Sequence, residues 1–165
     1  MTPTILIAGV GNELRQDDAF GIELVKQLEQ EVLPPQTKIL EVGIGGIHLV
    51  QELHSQYQVL IMVDAVQWGE PAGHIYLREV TDISDITEMP IHEKRAFLAD
   101  MHYTNPMRAP MLAKALEVLP PKVYILGCEA AEHEDFAIGM STVVQEAIPK
   151  AILKLKEFLN QDIFS

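Results

Sequence analysis

Two adjacent carboxylates, Asp17 and Asp18, follow closely on an apolar run in the stretch ILIAGVGNELRQDDAFG, residues 5–21. A third carboxylate, Asp64, stands at the end of QVLIMV, the most apolar run in the chain, and His102 lies in an irregular segment ahead of Pro106. Two carboxylates and an imidazole suit a borderline divalent cation such as zinc or nickel. Their separation is unlike a compact zinc-finger pattern, so only a fold that gathers strand ends can bring Asp18, Asp64 and His102 together. Each also has a plainer reading. Asp18 could cap a helix N-terminus, Asp64 could serve a structural hydrogen-bonding role, and His102 could be a surface histidine like His48, His54, His74 and His92. His133, in HEDF, is a further possible ligand in what reads as a solvated charged loop. Cys128, at a strand end, reads as a small buried hydrophobe rather than a nucleophile.

The elements that must position these groups alternate in type. Apolar strands are expected at residues 4–9, 37–42, 58–63, 74–80 and 122–127, with the third ending on Asp64. Helices are expected from Phe20 through Leu24, Leu28 and Val32, stopped by Pro34-Pro35; over Ile47, Val50 and Leu53; after Pro106 through Met107, Met111, Leu112, Ala115 and Leu116; and from Ser141 through Val144, Ile148, Ile152, Leu155 and Leu159. Pro110 is tolerable only in a first turn. Strand-helix alternation predicts a mostly parallel sheet. The short connection through Trp68-Gly69-Glu70-Pro71 leaves no room for a crossover helix, so strand 74–80 is expected to run antiparallel to its neighbour. In such a sheet, ligands bind at the carboxyl ends of the strands. The first glycine turn, expected at Gly9, Gly11 and Asn12, delivers Asp17 and Asp18 there.

Gly9-Val10-Gly11 imitates the start of a dinucleotide fingerprint, but Leu14 occupies the third glycine position and the carboxylates that follow would repel a pyrophosphate. No nucleophile elbow of the form G-x-S-x-G is present. With 24 acidic against 12 basic residues, a net charge of −12, the chain does not look like a binder of nucleic acid or of an anionic membrane surface. At 165 residues and 48% hydrophobic it reads as one packed domain, 1–165. A single cysteine excludes an internal disulfide and fits a reducing compartment. No signal-peptide pattern opens the sequence and no apolar run approaches the ~20 residues of a membrane span. A cytoplasmic protein is expected.

The motifs, taken in order, resemble those of the nickel–iron hydrogenase maturation endopeptidases. Gly9-Val10-Gly11-Asn12-Glu13-Leu14 with Asp17-Asp18-Ala19-Phe20-Gly21 resembles that family's opening signature, roughly GxGNxLxxDDGxG. Gly43-Ile44-Gly45-Gly46-Ile47 resembles its second glycine turn and Val63-Asp64-Ala65 its strand-ending aspartate. His102-Tyr103-Thr104-Asn105-Pro106 resembles HxMxP, Leu126-Gly127-Cys128-Glu129 resembles GCEP, and Ile138-Gly139-Met140-Ser141 resembles GLSP. Ala19, Thr104 and Ala130 depart from the pattern without removing a candidate ligand. His92 is a rival for the histidine role, but Asn105-Pro106 favours His102.

The resemblance implies a three-layer α/β/α sandwich with a twisted, mostly parallel sheet of about five strands. It implies an endopeptidase that removes the C-terminal extension of a hydrogenase large-subunit precursor after nickel insertion. Asp18, Asp64 and His102 would be both the metal-contacting and the catalytic residues. They would recognise nickel carried by the substrate, with no tightly held cofactor of the protein's own. The expected partner is the large-subunit precursor; the oligomeric state stays open, with a monomer as the default expectation. The nucleophile, the cleavage position, the particular hydrogenase and any part played by Asp17, His92 or His133 stay open. Two other readings compete: a nickel-sensing assembly factor that binds without cutting, and a generic metal-dependent peptidase with its own ion.

Overall fold

The computed structural model describes residues 4–11, 16–43, 46–83, 90–93, 95, 108–131 and 139–161, with the backbone alone for Gln16, Asp18, Gly43 and Arg108. Among these residues, five strands form one sheet: β1 (Ile5–Val10), β2 (Thr37–Gly43), β3 (Val59–Val66), β4 (Ile75–Glu79) and β5 (Lys122–Glu129). Their spatial order is β2-β1-β3-β5-β4. The β1–β2, β1–β3 and β3–β5 pairs are parallel, and β4 runs antiparallel to β5. The helices are α1 (Phe20–Leu28), α2 (Ile47–Leu53), α3 (Arg108–Ala115) and α4 (Thr142–Leu159).

Side-chain alternation along the strands builds a core on each face of the sheet. Ile5, Ile7, Ile61, Val63 and Leu126 pack with α1 and α4 through residues such as Phe20, Leu24, Ile148 and Leu155. Leu6, Ala8, Leu60 and Met62 pack on the other face with Leu49 and Leu53 of α2 and Ala109 and Ala113 of α3. This is the three-layer architecture expected, with its mostly parallel five-stranded sheet and one antiparallel strand.

Several expectations need correction in detail. The apolar period that continues to Val32 does not continue the helix: α1 ends at Leu28, and Val32 is 90% exposed, well before Pro34-Pro35 could act as a stop. In α2, Ile47 is exposed and Leu49 is buried beside Val50 and Leu53. The buried face of α3 is carried by Ala109 and Ala113, while Leu116 is exposed; Pro110 occupies the first turn, where its missing N–H costs nothing. The helical stripe of α4 is as expected, with Val144, Ile148, Ile152, Leu155 and Leu159 all buried. Strand β3 does not stop at Asp64 but continues through Ala65 and Val66, which pair with Cys128 and Glu129 of β5. Strand β4 is antiparallel, yet its partner is β5: the short connection from β3 steps across the position that β5 later fills.

Gly9 lies inside β1 rather than in the turn, which begins at Gly11 with φ 138°. A Cβ on Gly9 would lie 2.5 Å from the Gly21 carbonyl oxygen and from a Val25 methyl carbon. A Cβ on Gly21 would lie 2.2 Å from the Val63 oxygen and 2.3 Å from the Val10 oxygen. These two glycines let α1 press directly on β1 and β3. In a dinucleotide fold the third glycine of the fingerprint allows the same close helix–strand approach; here Gly21 performs it at a different spacing.

Candidate active site at the carboxyl edge of the sheet

The chain leaves β1 toward β2 on one side and later returns to β3 on the other, so the carboxyl ends of β1 and β3 flank a topological switch point. Open α/β sheets bind ligands in that crevice. Both acidic positions meet there. The loop after β1 folds into a 3₁₀ turn, Gln16–Ala19, which carries Asp17 and Asp18. The last paired residues of β1 and β3 are Gly9 and Val63, and Asp64 is the next residue along β3. Asp64 is 3% exposed, and its Oδ1 accepts the Ala65 N–H at 2.8 Å. By alternation its side chain is on the face of Leu60 and Met62, the side covered by α2 and α3.

Ala19, not Asp18, occupies the N-cap position of α1. The structure brings the backbone of Asp18 to the crevice that holds Asp64. The side chain of Asp18, and all of His102 and His133, lie outside the described residues. Among the described residues, no three His, Cys, Asp or Glu side chains group closely enough to hold a metal ion. His48, His54, His74 and His92 are exposed.

Asp17, left open by the sequence, has a definite task. It is 1% exposed and ties three elements together. Its Oδ1 accepts the Ser141 N–H at 2.7 Å, and its Oδ2 accepts the Ala131 N–H at 2.8 Å and the Ser141 hydroxyl at 3.0 Å. Ser141 is the N-cap of α4 and makes no side-chain cap of its own, because its hydroxyl is given to Asp17. A carboxylate there also faces the positive end of the helix dipole. Asp17 therefore fixes the acidic turn against the end of β5 and the start of α4, and holds its neighbour Asp18 at the crevice.

A third buried carboxylate escaped the sequence reading. Glu129, 3% exposed at the end of β5, accepts the N–H of Trp68 at 2.8 Å, the N–H of Glu70 at 2.7 Å and the Tyr76 hydroxyl at 2.9 Å. Burial alone would raise its pKa, but the N–H groups of Trp68 and Glu70, the Tyr76 hydroxyl and the Gly69 N–H outweigh burial and hold it below the ordinary 4.5. Tyr76 moves the opposite way, to about 12, through burial and its bond to Glu129. The available signal was a carboxylate closing an apolar strand directly after Cys128, the same signal that singled out Asp64.

Cys128 is fully buried and unpaired. Burial, then the neighbouring Asp17 and Glu129 charges, push its thiol up to about 12. A thiol so held has almost no thiolate at neutral pH and is not a nucleophile there.

The sequence model of the family described as hydrogenase maturation protease matches residues 22–157. The chain belongs to the hydrogenase maturation protease family. Similar proteins include a hydrogenase expression/formation protein, HupD, of Thiocapsa roseopersicina, 31% identical over 96% of this chain and 69% of its own. Another is the coenzyme F420 hydrogenase subunit delta of Methanothermobacter thermautotrophicus, 32% identical over 90% of this chain and 89% of its own. Among solved structures, the hydrogenase maturating endopeptidase HybD from Escherichia coli superposes with a TM-score of 0.70 at 25% identity, covering 96% of this chain and 92% of that one. A hydrogenase 2 maturation peptidase from a Thaumarchaeota archaeon superposes at 0.65 with 26% identity, covering 94% and 97%.

The protease is thus a peptidase of hydrogenase maturation, which sets aside the reading as a non-cutting assembly factor. No helix among its described residues is long and apolar enough to cross a membrane.

Proposed function

We propose that this protease removes the C-terminal extension of a nickel–iron hydrogenase large-subunit precursor once nickel has been inserted, and that Asp18, Asp64 and His102 recognise that nickel in the substrate. The observation that carries the reading is the placing of Asp64. It is a carboxylate buried in an apolar strand, at the switch-point crevice, next to an acidic turn that a second buried carboxylate anchors. At the carboxyl end of a strand, where such sheets bind ligands, its carboxylate is of a type that can meet a cation brought by the substrate. Asp64 shares its sheet face with α3, and His102 precedes the start of that helix by six residues.

Two carboxylates and an imidazole form a donor set suited to a divalent first-row metal. With nickel as part of the substrate, these groups act as a checkpoint: a precursor lacking the metal does not dock productively. Once engaged, the metal can polarise the scissile carbonyl or activate a water. The buried Cys128 thiol is unsuited to attack. A cytoplasmic location agrees with the lone, unpaired cysteine.

The test is the intact mass of nickel-loaded and nickel-free precursor before and after incubation. Loss of a C-terminal fragment from the loaded form alone is expected. Asp18→Ala, Asp64→Ala and His102→Ala are each expected to abolish the loss while retaining the wild-type circular dichroism spectrum. Unchanged processing by all three variants would overturn the site assignment.

A further inference from the structure

Trp68 is a large aromatic residue that the fold holds rigidly yet leaves 43% exposed. Its backbone N–H, and that of Glu70, donate to the buried Glu129 carboxylate. Its ring meets Tyr76 edge-on at 4.6 Å, and the Arg78 guanidinium lies 4.9 Å from its centroid and 4.8 Å from that of Tyr76. Core packing alone does not account for this arrangement, because Trp68 stays 43% exposed. A buried charge fixes the backbone that carries the indole, and the Tyr76 ring and the Arg78 guanidinium flank the indole itself.

The position is informative. Trp68 follows Asp64 by four residues, with β3 ending at Val66 between them. Four residues of extended chain span at most ~13 Å, so Trp68 lies within that reach of Asp64. Asp17 grips Ser141, and Val143 in the first turn of α4 is 40% exposed. Val143 also lies against the turn that returns from Trp68: a Cβ on Gly73 would fall 2.8 Å from one of its methyl carbons.

We infer that Trp68 is a specificity-determining contact that takes an apolar side chain of the precursor polypeptide beside the Asp64 crevice, and that Glu129 is the positioning residue that holds its backbone. This rests on the processing reading above. A peptidase must hold a polypeptide chain across its site, and an exposed, preorganised indole offers a large contact at little entropic cost.

Trp68 is the chain's only tryptophan, so it can be observed alone. The protease is labelled with 5-fluorotryptophan and its single ¹⁹F resonance is followed as unlabelled nickel-loaded precursor is added. Cleavage kinetics are then measured for wild type, Trp68→Ala, Trp68→Phe and Glu129→Gln. The resonance is expected to shift on binding. Trp68→Ala is expected to raise KM at least about tenfold with kcat within about twofold, and Trp68→Phe to recover most of the loss. Glu129→Gln is expected to move the resonance of the free protein and to raise KM in the same way. If wild type cleaves while its resonance stays unmoved and Trp68→Ala keeps the wild-type KM, the inference is overturned and the processing reading stands. If the resonance shifts but no cleavage occurs, Trp68 docks the precursor and the processing reading falls instead.

Discussion

Replacing Asp17 by asparagine keeps its shape and reverses one end of its hydrogen bonding. The carboxylate accepts on both oxygens, from two backbone N–H groups and one hydroxyl. An amide can accept on only one. With its NH₂ in the place of Oδ1, it confronts the Ser141 N–H. With NH₂ in the place of Oδ2, it confronts the Ala131 N–H, while the Ser141 hydroxyl can turn and accept. Either way one bond to a carboxylate, worth ~1.5–3 kcal/mol, is lost and one donor is stranded at a site 1% exposed. The expected cost is ~2–4 kcal/mol, which for a chain of this length lowers Tm by roughly 5–15 °C.

The assay is urea unfolding at neutral pH, read as a fall in midpoint with an unchanged m-value. Ser141→Ala, which removes only the hydroxyl donor, should cost about half as much. The Asp17→Asn/Ser141→Ala double variant should fall short of additivity, because both changes break one network. An Asn variant within ~0.5 kcal/mol of wild type, or a cycle additive within that margin, would refute the view that Asp17 clasps the acidic turn to α4.

Glu129 has a folded-state pKa below its unfolded value, so the stability it contributes is present above 4.5 and is lost as pH falls through the folded-state pKa. The stability gap between wild type and Glu129→Gln should therefore be widest near neutrality and narrow on acidification below 4.5, in urea midpoints taken across that range; a gap independent of pH would contradict the clamp. Cys128, with its thiol raised to about 12, should resist iodoacetamide at pH 8 in the native protein and react once unfolded, as followed by intact mass. Gly21→Ala places a methyl 2.2 Å from the Val63 oxygen and should cost at least ~1–3 kcal/mol through forced separation of α1 from the sheet, whereas the same change at Gly69, where nothing lies within 4 Å, lacks that clash and carries only the backbone strain of φ 91°; thermal melts of the two variants make the comparison.

Strands were the most legible elements because a sheet buried on both faces demands unbroken apolar runs, and ILIAGV, QVLIMV and KVYILG can do little else. Boundaries were read less well where apolar periodicity outlasted the element. Val32 keeps the period of α1 but meets no partner, since hydrophobic spacing records what a helix could bury and not where the sheet ends beneath it. The neighbour of β4 was illegible for another reason. Connection length limits direction but not adjacency, and β5, much later in the chain, takes the place beside β3.

The candidate site was legible in a particular way. Asp64 announced itself because an aspartate inside so apolar a strand is costly without a purpose. Asp17 and Asp18 look alike in sequence, and only topology separates them. The turn after β1 directs Asp17 inward, toward Ser141 and Ala131, two residues that lie more than a hundred positions away. No local pattern encodes such a bond. The same holds for Glu129, whose partners are supplied by a turn that the sequence offers only as a connection. Both carboxylates thus serve to make loops rigid at the edge of the sheet where the proposed substrate must be gripped. That the two anchored segments carry Asp18 on one side and Trp68 on the other is the strongest physical reason to place both at the same polypeptide-binding surface.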